Sequence, residues 1–387
     1  MADFPKNLYY QHELATTCHH LGYQLWDAGR LVEAEPLFRQ ALDLRNRLDH
    51  AVGRAQCHNS LGLLLRTQGR LPEAEQAHRT ALALVQGPHL PPESGIDRWE
   101  LARSHAHLGI VLGRSNRFVE AEAAVNQALA LRLQIVADRP TSWGDRHELA
   151  LTYVTLGWLR ELSGQAALAE EPYRLALTLQ EQLLAEFPKH PESWKHLAPC
   201  HVVLGRILHG TGRDAAAEKS FRAADQRFRQ ALERTPASAK ANHDLAWFLA
   251  TCPAQQFRKP GEAVALAKKA VELEPGQLGH WMTLGVAHYR DRNWQAALAA
   301  LEKCLDDPTG LAATANFVLA MGHWQCGDME QARRSFDRGV AALEKNNARG
   351  LEANRFRAEA ADLLDIADAT LPACTAGEAS HRLAVDP

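Results

Sequence analysis

The chain has 387 residues, 46% of them hydrophobic, which is enough for a continuous core or for two or three ordinary domains. A formal net charge of −3 excludes strong non-specific attraction to nucleic acid, and the interleaving of Arg with Glu and Asp reads as solvated helix faces. The seven cysteines (Cys18, Cys57, Cys200, Cys252, Cys304, Cys326 and Cys374) form no Cys-x-x-Cys pair and read as small buried residues in a reducing, cytoplasmic setting.

At the start of the chain, Asp3, Lys6 and His12 interrupt any apolar run that would make a signal peptide. From there on the pair Leu-Gly recurs: Leu21-Gly22, Leu61-Gly62, Leu108-Gly109, Leu156-Gly157, Leu204-Gly205 and Leu284-Gly285, with Leu245-Ala246 and Leu319-Ala320 in the same role. Twelve residues after the Gly stands a small residue (Ala34, Ala74, Ala121, Ala169, Ala217, Ala297, Ala332). Four later comes a larger one: Phe38, His78, Val125, Tyr173, Phe221, Leu301, Phe336. Three later again comes a small one: Ala41, Ala81, Ala128, Ala176, Ala224, Cys304, Gly339. Such a period marks an array of stacked units, none of which can bury its apolar face alone.

Each unit reads as two helices joined by a turn. The turns at Gly29, Gly69, Gly164 and Gly212 stand where a helix ends with positive φ, and Gly there is free of the Cβ penalty. Gly on the first helix and Ala on the second let the backbones approach, and the large residue four along fills the gap beside them. The spacings between Leu-Gly pairs are 40, 47, 48, 48, 41, 39 and 35, so the middle units are long and the last ones relax toward 34. The long units carry a second signature. Pro5, Pro92, Pro140 and Pro188 each precede by eight residues Glu13-Leu14-Ala15, Glu100-Leu101-Ala102, Glu148-Leu149-Ala150 or His196-Leu197-Ala198. Pro resets the chain for the next helix, so the extra residues are expected to lengthen the helices and their linker.

This register divides the chain. Residues 1–5 align with 136–140 and 184–188, which end second helices, so 1–13 read as the remnant of a preceding repeat and linker, inherited from a longer ancestor. Five long units are expected over 14–236 and three shorter ones over 237–345. The stretch 308–327 has no Asp, Glu, Lys or Arg, but Asn316, His323 and Gln325 and its register place it on the buried first helix of the last unit, not in a membrane. Phe356, Ala360, Leu363 and Leu364 share one face of a further helix, so 346–369 is expected to cap the array, and 370–387 to be disordered.

These residues resemble tetratricopeptide repeats. The best match is Trp281, Leu284, Gly285, His288, Ala297, Leu301 and Cys304, with Pro308 near the closing proline of the repeat. Leu245 to Ala250 followed by Cys252-Pro253 resembles a variant with a longer inter-helix loop. Cys18, His58, His105, Tyr153 and His201 depart from the pattern where the family usually has Trp. The long units with Pro and Glu-Leu-Ala resemble the repeat tails behind the catalytic domain of bacterial serine/threonine protein kinases. The resemblance implies an all-α, right-handed superhelical solenoid of about eight helix pairs whose first helices line a concave groove.

Catalytic signatures are missing from the sequence. There is no Gly-rich loop, His-Arg-Asp, Asp-Phe-Gly, Walker loop or His-Glu-x-x-His. Nineteen histidines raise the question of a metal, and Cys57-His58, Cys200-His201 and Cys18-His19-His20 look like ligand clusters. Register answers it: His58, His105 and His201 stand three residues before their Leu-Gly, at equivalent positions on successive helices roughly 8–10 Å apart. A zinc ion needs nitrogens within about 2.1 Å. Neither a cofactor nor a metal is expected.

In the groove geometry that the resemblance implies, one position after the Gly gives Tyr23, Trp158, Arg206 and Trp247, and four after it gives Trp26, Arg66, Tyr289 and Trp324. Arg103 projects one turn earlier. Aromatics and Arg are the types enriched at interaction hot spots. The Lys and Asn residues with which some relatives hold a terminal carboxylate have no counterpart beyond Asn59. The function expected is a non-catalytic scaffold for a protein or peptide partner. The alternatives are the regulatory or targeting tail of a kinase and a small-molecule sensor, the latter requiring a closed polar pocket.

Overall fold

The computed structural model describes residues 7–48, 50–86, 95–190, 196–307, 310–345 and 350–366. Residues 1–6, Pro92, Pro308 and the tail from 367 onward, on which several of the expectations above fall, lie outside them. Among the described residues the chain is all-α, with seventeen helices and two short 3-10 turns. It divides into two compact units, residues 1–179 and 180–387.

In the first unit the pairs are α1 (Leu8–Asp27) with α2 (Leu31–Arg47), α3 (Ala51–Thr67) with α4 (Leu71–Val85), and α5 (Gly95–Arg114) with α6 (Phe118–Asp138). α7 (Trp143–Leu162) pairs with α8 (Ala166–Glu186), whose last residues pass into the second unit. The second unit continues with α9 (Leu197–Gly210) and α10 (Asp214–Arg234), α11 (Ala239–Thr251) and α12 (Pro260–Leu273), and α13 (Leu278–Arg290) and α14 (Trp294–Leu301). α15 (Leu311–Gln325) and α16 (Met329–Lys345) make the eighth pair, and α17 (Leu351–Leu363) follows. The four expected glycines do turn with positive φ: Gly29 at 75°, Gly69 at 78°, Gly164 at 80° and Gly212 at 73°. Asn116 and Arg292, at 59° and 58°, serve two of the other turns without glycine.

Each pair closes on the contact that its sequence register specifies. A Cβ on Gly22 would stand 3.0 Å from the ring of Phe38, on Gly62 2.5 Å from His78, on Gly157 2.7 Å from Tyr173, and on Gly205 2.6 Å from Phe221. In the eighth pair the vacancy changes sides: Ala320 replaces the first-helix glycine, and Gly339 of α16 receives Phe317 of α15 at 2.7 Å. Each of these large side chains is buried, Phe38 and Phe221 at 1% exposure or less.

Successive pairs stack in two layers. First helices touch directly, α1 with α3, α3 with α5, α5 with α7, α11 with α13 and α13 with α15, and second helices pack against the following first helix. An outer ladder of arginines ties the second helices. Arg70 forks onto Glu73 within its own turn and reaches both oxygens of Glu35 on α2 at 3.1 Å. Arg117 repeats the arrangement with Glu120 and, at 2.8 Å, Glu75. The arginine ends of these pairs are open to solvent, so each pair adds little to stability and is weakened by salt. α15, which carries the charge-free stretch, is buried around most of its surface from Ala313 to Gly322, as a helix apolar on all sides should be.

The glycine slots give a direct test. Gly205→Ala gains helix propensity but presses a methyl into Phe221, so it is expected to destabilise by about 1–3 kcal/mol in urea unfolding. Gly279→Ala, a helical site with nothing within 4 Å, is expected to be neutral or stabilising by up to about 1 kcal/mol. Equal effects at the two sites would show that the slot is not the constraint.

Candidate interaction surface

Within each unit the first helices form a surface knitted by hydrogen bonds between repeats. Trp26 Nε1 donates to Thr67 Oγ1 at 3.1 Å, His19 Nε2 and Ser60 Oγ are 2.9 Å apart, and in the second unit His243 Nδ1 meets Thr283 Oγ1 at 2.9 Å. All nine residues singled out from the sequence lie on these helices.

In the first unit Tyr23 is 45% exposed and tilts against Trp26 with ring centroids 5.2 Å apart. Trp26 is half-buried against Ala34, Phe38 and Leu64. Trp158 packs into the core formed by Leu108, Leu112, Val125, Leu156 and Leu159, with its ring against Gly113 of the preceding first helix. Arg66 is half-buried, and its pKa is pushed down to about 10, by burial first and then by Arg114 nearby. Neither Arg66 nor Arg114 has an ion-pair partner among the described residues. Arg103 lies with its guanidinium 5.5 Å from the centre of Trp99, 3.6 Å from Glu100, and 3.5 Å from Ser60 Oγ.

Beneath Arg103 lies a polar network that sequence reasoning missed. Asn59, fully buried, donates to Glu100 Oε2 at 3.2 Å and to Ser104 Oγ at 2.8 Å, and its Oδ1 accepts from His78 Nδ1 at 3.0 Å. The suggestive Asn59 thus holds repeat to repeat and has no group left for a peptide. Arg132, also fully buried, bonds Glu148 Oε2 at 2.9 Å and has its guanidinium 5.2 Å from the centre of Trp99. Two signals pointed to this layer. The Glu of the Glu-Leu-Ala motif reaches back to the preceding repeat at both Glu100 and Glu148. A second-helix pattern, Ala-Leu-x-Leu followed by Arg45, Arg132 or Gln180, places a buried polar side chain at one fixed position. Arg45 has no ion-pair partner among the described residues, although it is only 5% exposed.

In the second unit the selected residues meet the chain itself. Arg206 Nη1 is 3.4 Å from Glu352 Oε1, Trp247 stands edge-on to Phe356 at 6.3 Å, and Tyr289 is buried beside Arg290, which holds Glu359. Burial pushes the Tyr289 hydroxyl up to about 12. Trp324 is half-buried on α15.

Cys18, Cys57, Cys200, Cys252 and Cys304 are buried as packing residues, and Cys326 is exposed. Burial pushes the thiols of Cys57 and Cys200 up to about 11 and about 12, away from the thiolate that a metal or a nucleophile requires. Among the described residues no three His, Cys, Asp or Glu side chains gather as a metal site, and no helix is long and apolar enough to cross a membrane.

This geometry accords with comparisons to known proteins. Family models of the tetratricopeptide repeat match residues 13–86, 252–310 and 282–347, so the chain contains tetratricopeptide repeats near both ends. No curated protein matches the sequence. Among solved structures, the apo form of RapI is 14% identical and covers 86% of this chain and 98% of its own, with a TM-score of 0.50. The Rap conjugation gene regulator of the plasmid pLS20, in complex with the Phr* peptide, is 14% identical, covers 87% and 96%, and has a TM-score of 0.55. The shared fold is an all-α, tetratricopeptide-like solenoid.

His78 sets the acid response of the network. Burial, then Arg66 and Arg103, push its pKa down to about 3, whereas the unfolded chain takes up that proton near 6.5. The stability tied to neutral His78 is therefore complete above pH about 6.5 and is lost as pH falls toward about 3. His78→Phe fills the slot against Gly62 as Phe38 and Phe221 fill theirs, at the cost of the bond to Asn59. It is expected to lower stability at pH 7 by about 1–3 kcal/mol. Between pH about 5.5 and 4.5 it should reduce the slope of stability against pH by one proton, about 1.4 kcal/mol per pH unit. Parallel slopes for the two proteins in denaturant titrations would rule this out.

Proposed function

We propose that the chain is a non-catalytic scaffold that holds a protein segment against its first-helix layer, and that in the first unit the segment is acidic. The observation that carries this is the charge imbalance of α3 and α5. Arg66 and Arg114 lie side by side without an ion-pair partner among the described residues, and Arg103 is neighboured only loosely by Glu100. Other arginines of this unit, Arg70, Arg117 and Arg139 among them, are paired at 2.5–3.2 Å. Leaving cations half-buried and uncompensated is costly, and an arriving carboxylate relieves that cost. The exposed Tyr23, with Trp26 beneath it, extends the surface with the residue types that dominate interface energetics. On this reading Tyr23, Trp26, Arg66 and Arg103 make the contacts, with Arg114 beside them, and Trp158 supports the layer from below. The tetratricopeptide repeats, and a structure of like fold that holds a peptide, support a scaffold role.

The test is binding of the full chain to fluorescent acidic, neutral and basic peptides and to a single-stranded oligonucleotide. The acidic peptide is expected to bind best, with an affinity that falls as salt rises. Arg66→Glu combined with Arg114→Glu is expected to weaken that binding at least tenfold with unchanged thermal unfolding. No preference among the peptides, or tighter binding of the oligonucleotide, would overturn the proposal.

A further inference from the structure

The first-helix layer of the second unit already has an occupant. α17 packs on α15 and α16, as the next helix of a stack would. Its side chains also reach three helices further back. Glu359 takes both terminal nitrogens of Arg290 on α13, one of them at 2.7 Å. Arg355 Nη2 donates at 2.6 Å to the carbonyl of Thr251, the last residue of α11. Glu352 faces Arg206 of α9 at 3.4 Å. Between them Phe356 is fully buried, 6.3 Å from the ring of Trp247 and 5.8 Å from the guanidinium of Arg290. A helix that merely continued the stack would touch α15 and α16 alone.

Two properties mark α17 as a ligand of this face. Its buried side consists of Ala353, Phe356, Ala360, Ala361 and Leu364, so one aromatic ring supplies most of the apolar contact and charged groups supply much of the rest. At 13 residues it is also too short to be a stable helix by itself in water, so its order depends on docking. The acids it presents are matched to the face. Burial disfavours the charge on Glu359, but the hydrogen bonds and charge of Arg290, with Arg355 and Arg258 near, hold its carboxyl below the ordinary range.

We propose that this face is a helix-binding site, and that α17 is its resident, displaceable ligand. The partner it fits is an amphipathic helix of another protein with an aromatic anchor, one carboxylate a turn before it for Arg206, and another a turn after it for Arg290. α17 competes with that partner and sets the threshold for capture. The site uses other residues than the acidic-segment reading of α3 and α5, so either stands if the other fails.

The experiment uses the full chain and a synthetic fluorescent peptide of residues 350–366. Glu359→Arg is expected to speed hydrogen exchange in 350–366 at least tenfold while α13 and α15 keep their protection. It should also raise the affinity for the added peptide at least tenfold over the wild-type chain, because the groove is then open and Arg290 is free to take the peptide's Glu359. The peptide with Phe356→Ala should lose at least tenfold of that affinity. Arg290→Glu combined with Glu359→Arg should restore slow exchange in 350–366 and exclude the peptide again. If α13 and α15 lose protection together with α17, the helix is part of the core and the proposal falls. It falls equally if the Glu359→Arg chain binds the peptide no better than the wild type.

Discussion

Everything in this protein rests on a missing methyl group. Where the two helices cross in every pair but that of α11 and α12, which has Ala246 there, one backbone carries no Cβ and a large side chain of the partner occupies the space, at a distance that a Cβ would violate. Because the glycine and the large residue must meet, their separation along the chain fixes the length of the turn and the rotation of both helices about their axes. That rotation commits one side of each first helix to its partner and another to the neighbouring repeat. The remaining side is left unconstrained by stacking, and the residues proposed for recognition lie there.

The extra length of the long units lengthens both helices of the pair, α6 and α8 having 21 residues against 14 for α12. α5 and α7 have 20 residues, against 13 for α11 and α13. The added N-terminal turns carry Trp99 and Glu100 on α5 and Trp143, His147 and Glu148 on α7. They build hydrogen bonds that an apolar interface would not need. Asn59 uses its amide fully on Glu100, Ser104 and His78. A slip of α3 against α5 by one turn would leave a buried carboxylate bare, at a cost of several kcal/mol. Apolar contacts between repeats discriminate weakly among registers that differ by a turn, and this buried set discriminates strongly.

The fold was legible because its constraint is a spacing between residue types, and spacing is what a sequence displays. The pairs, the glycines at positive φ and the burial of 308–327 over the described part of α15 all followed from it. The surface was less legible. A position one or four residues after the Gly locates a side chain on the first helix but does not say what it touches. Trp158 and Tyr23 share a register, yet one is set against the core of the preceding repeat and the other is open. The difference lies in the neighbour: Gly113 of the preceding helix makes room for the ring of Trp158. The contacts of Arg206, Trp247 and Arg290 with α17 were out of reach for another reason. They join residues more than sixty positions apart through a helix outside the repeat, and a periodic pattern carries no information about an aperiodic partner.

Each unit thus has a first-helix layer of its own, and the two differ in what faces their cations. In the second unit three arginines of the layer and its border (Arg206, Arg290 and Arg258) face the acids of α17, and the aromatic Trp247 faces its phenylalanine. In the first unit burial first, and then the charge of Arg114 nearby, lowers the pKa of Arg66, which has no ion-pair partner among the described residues. A half-buried guanidinium cannot shed its proton at physiological pH, so the imbalance cannot be relieved by titration as it is for His78. It is relieved by solvent, by salt or by a carboxylate. Of these only the carboxylate brings a backbone that can also lie along Tyr23 and Trp26, which is why charge and aromatic surface on one layer argue for a polypeptide partner rather than a small anion.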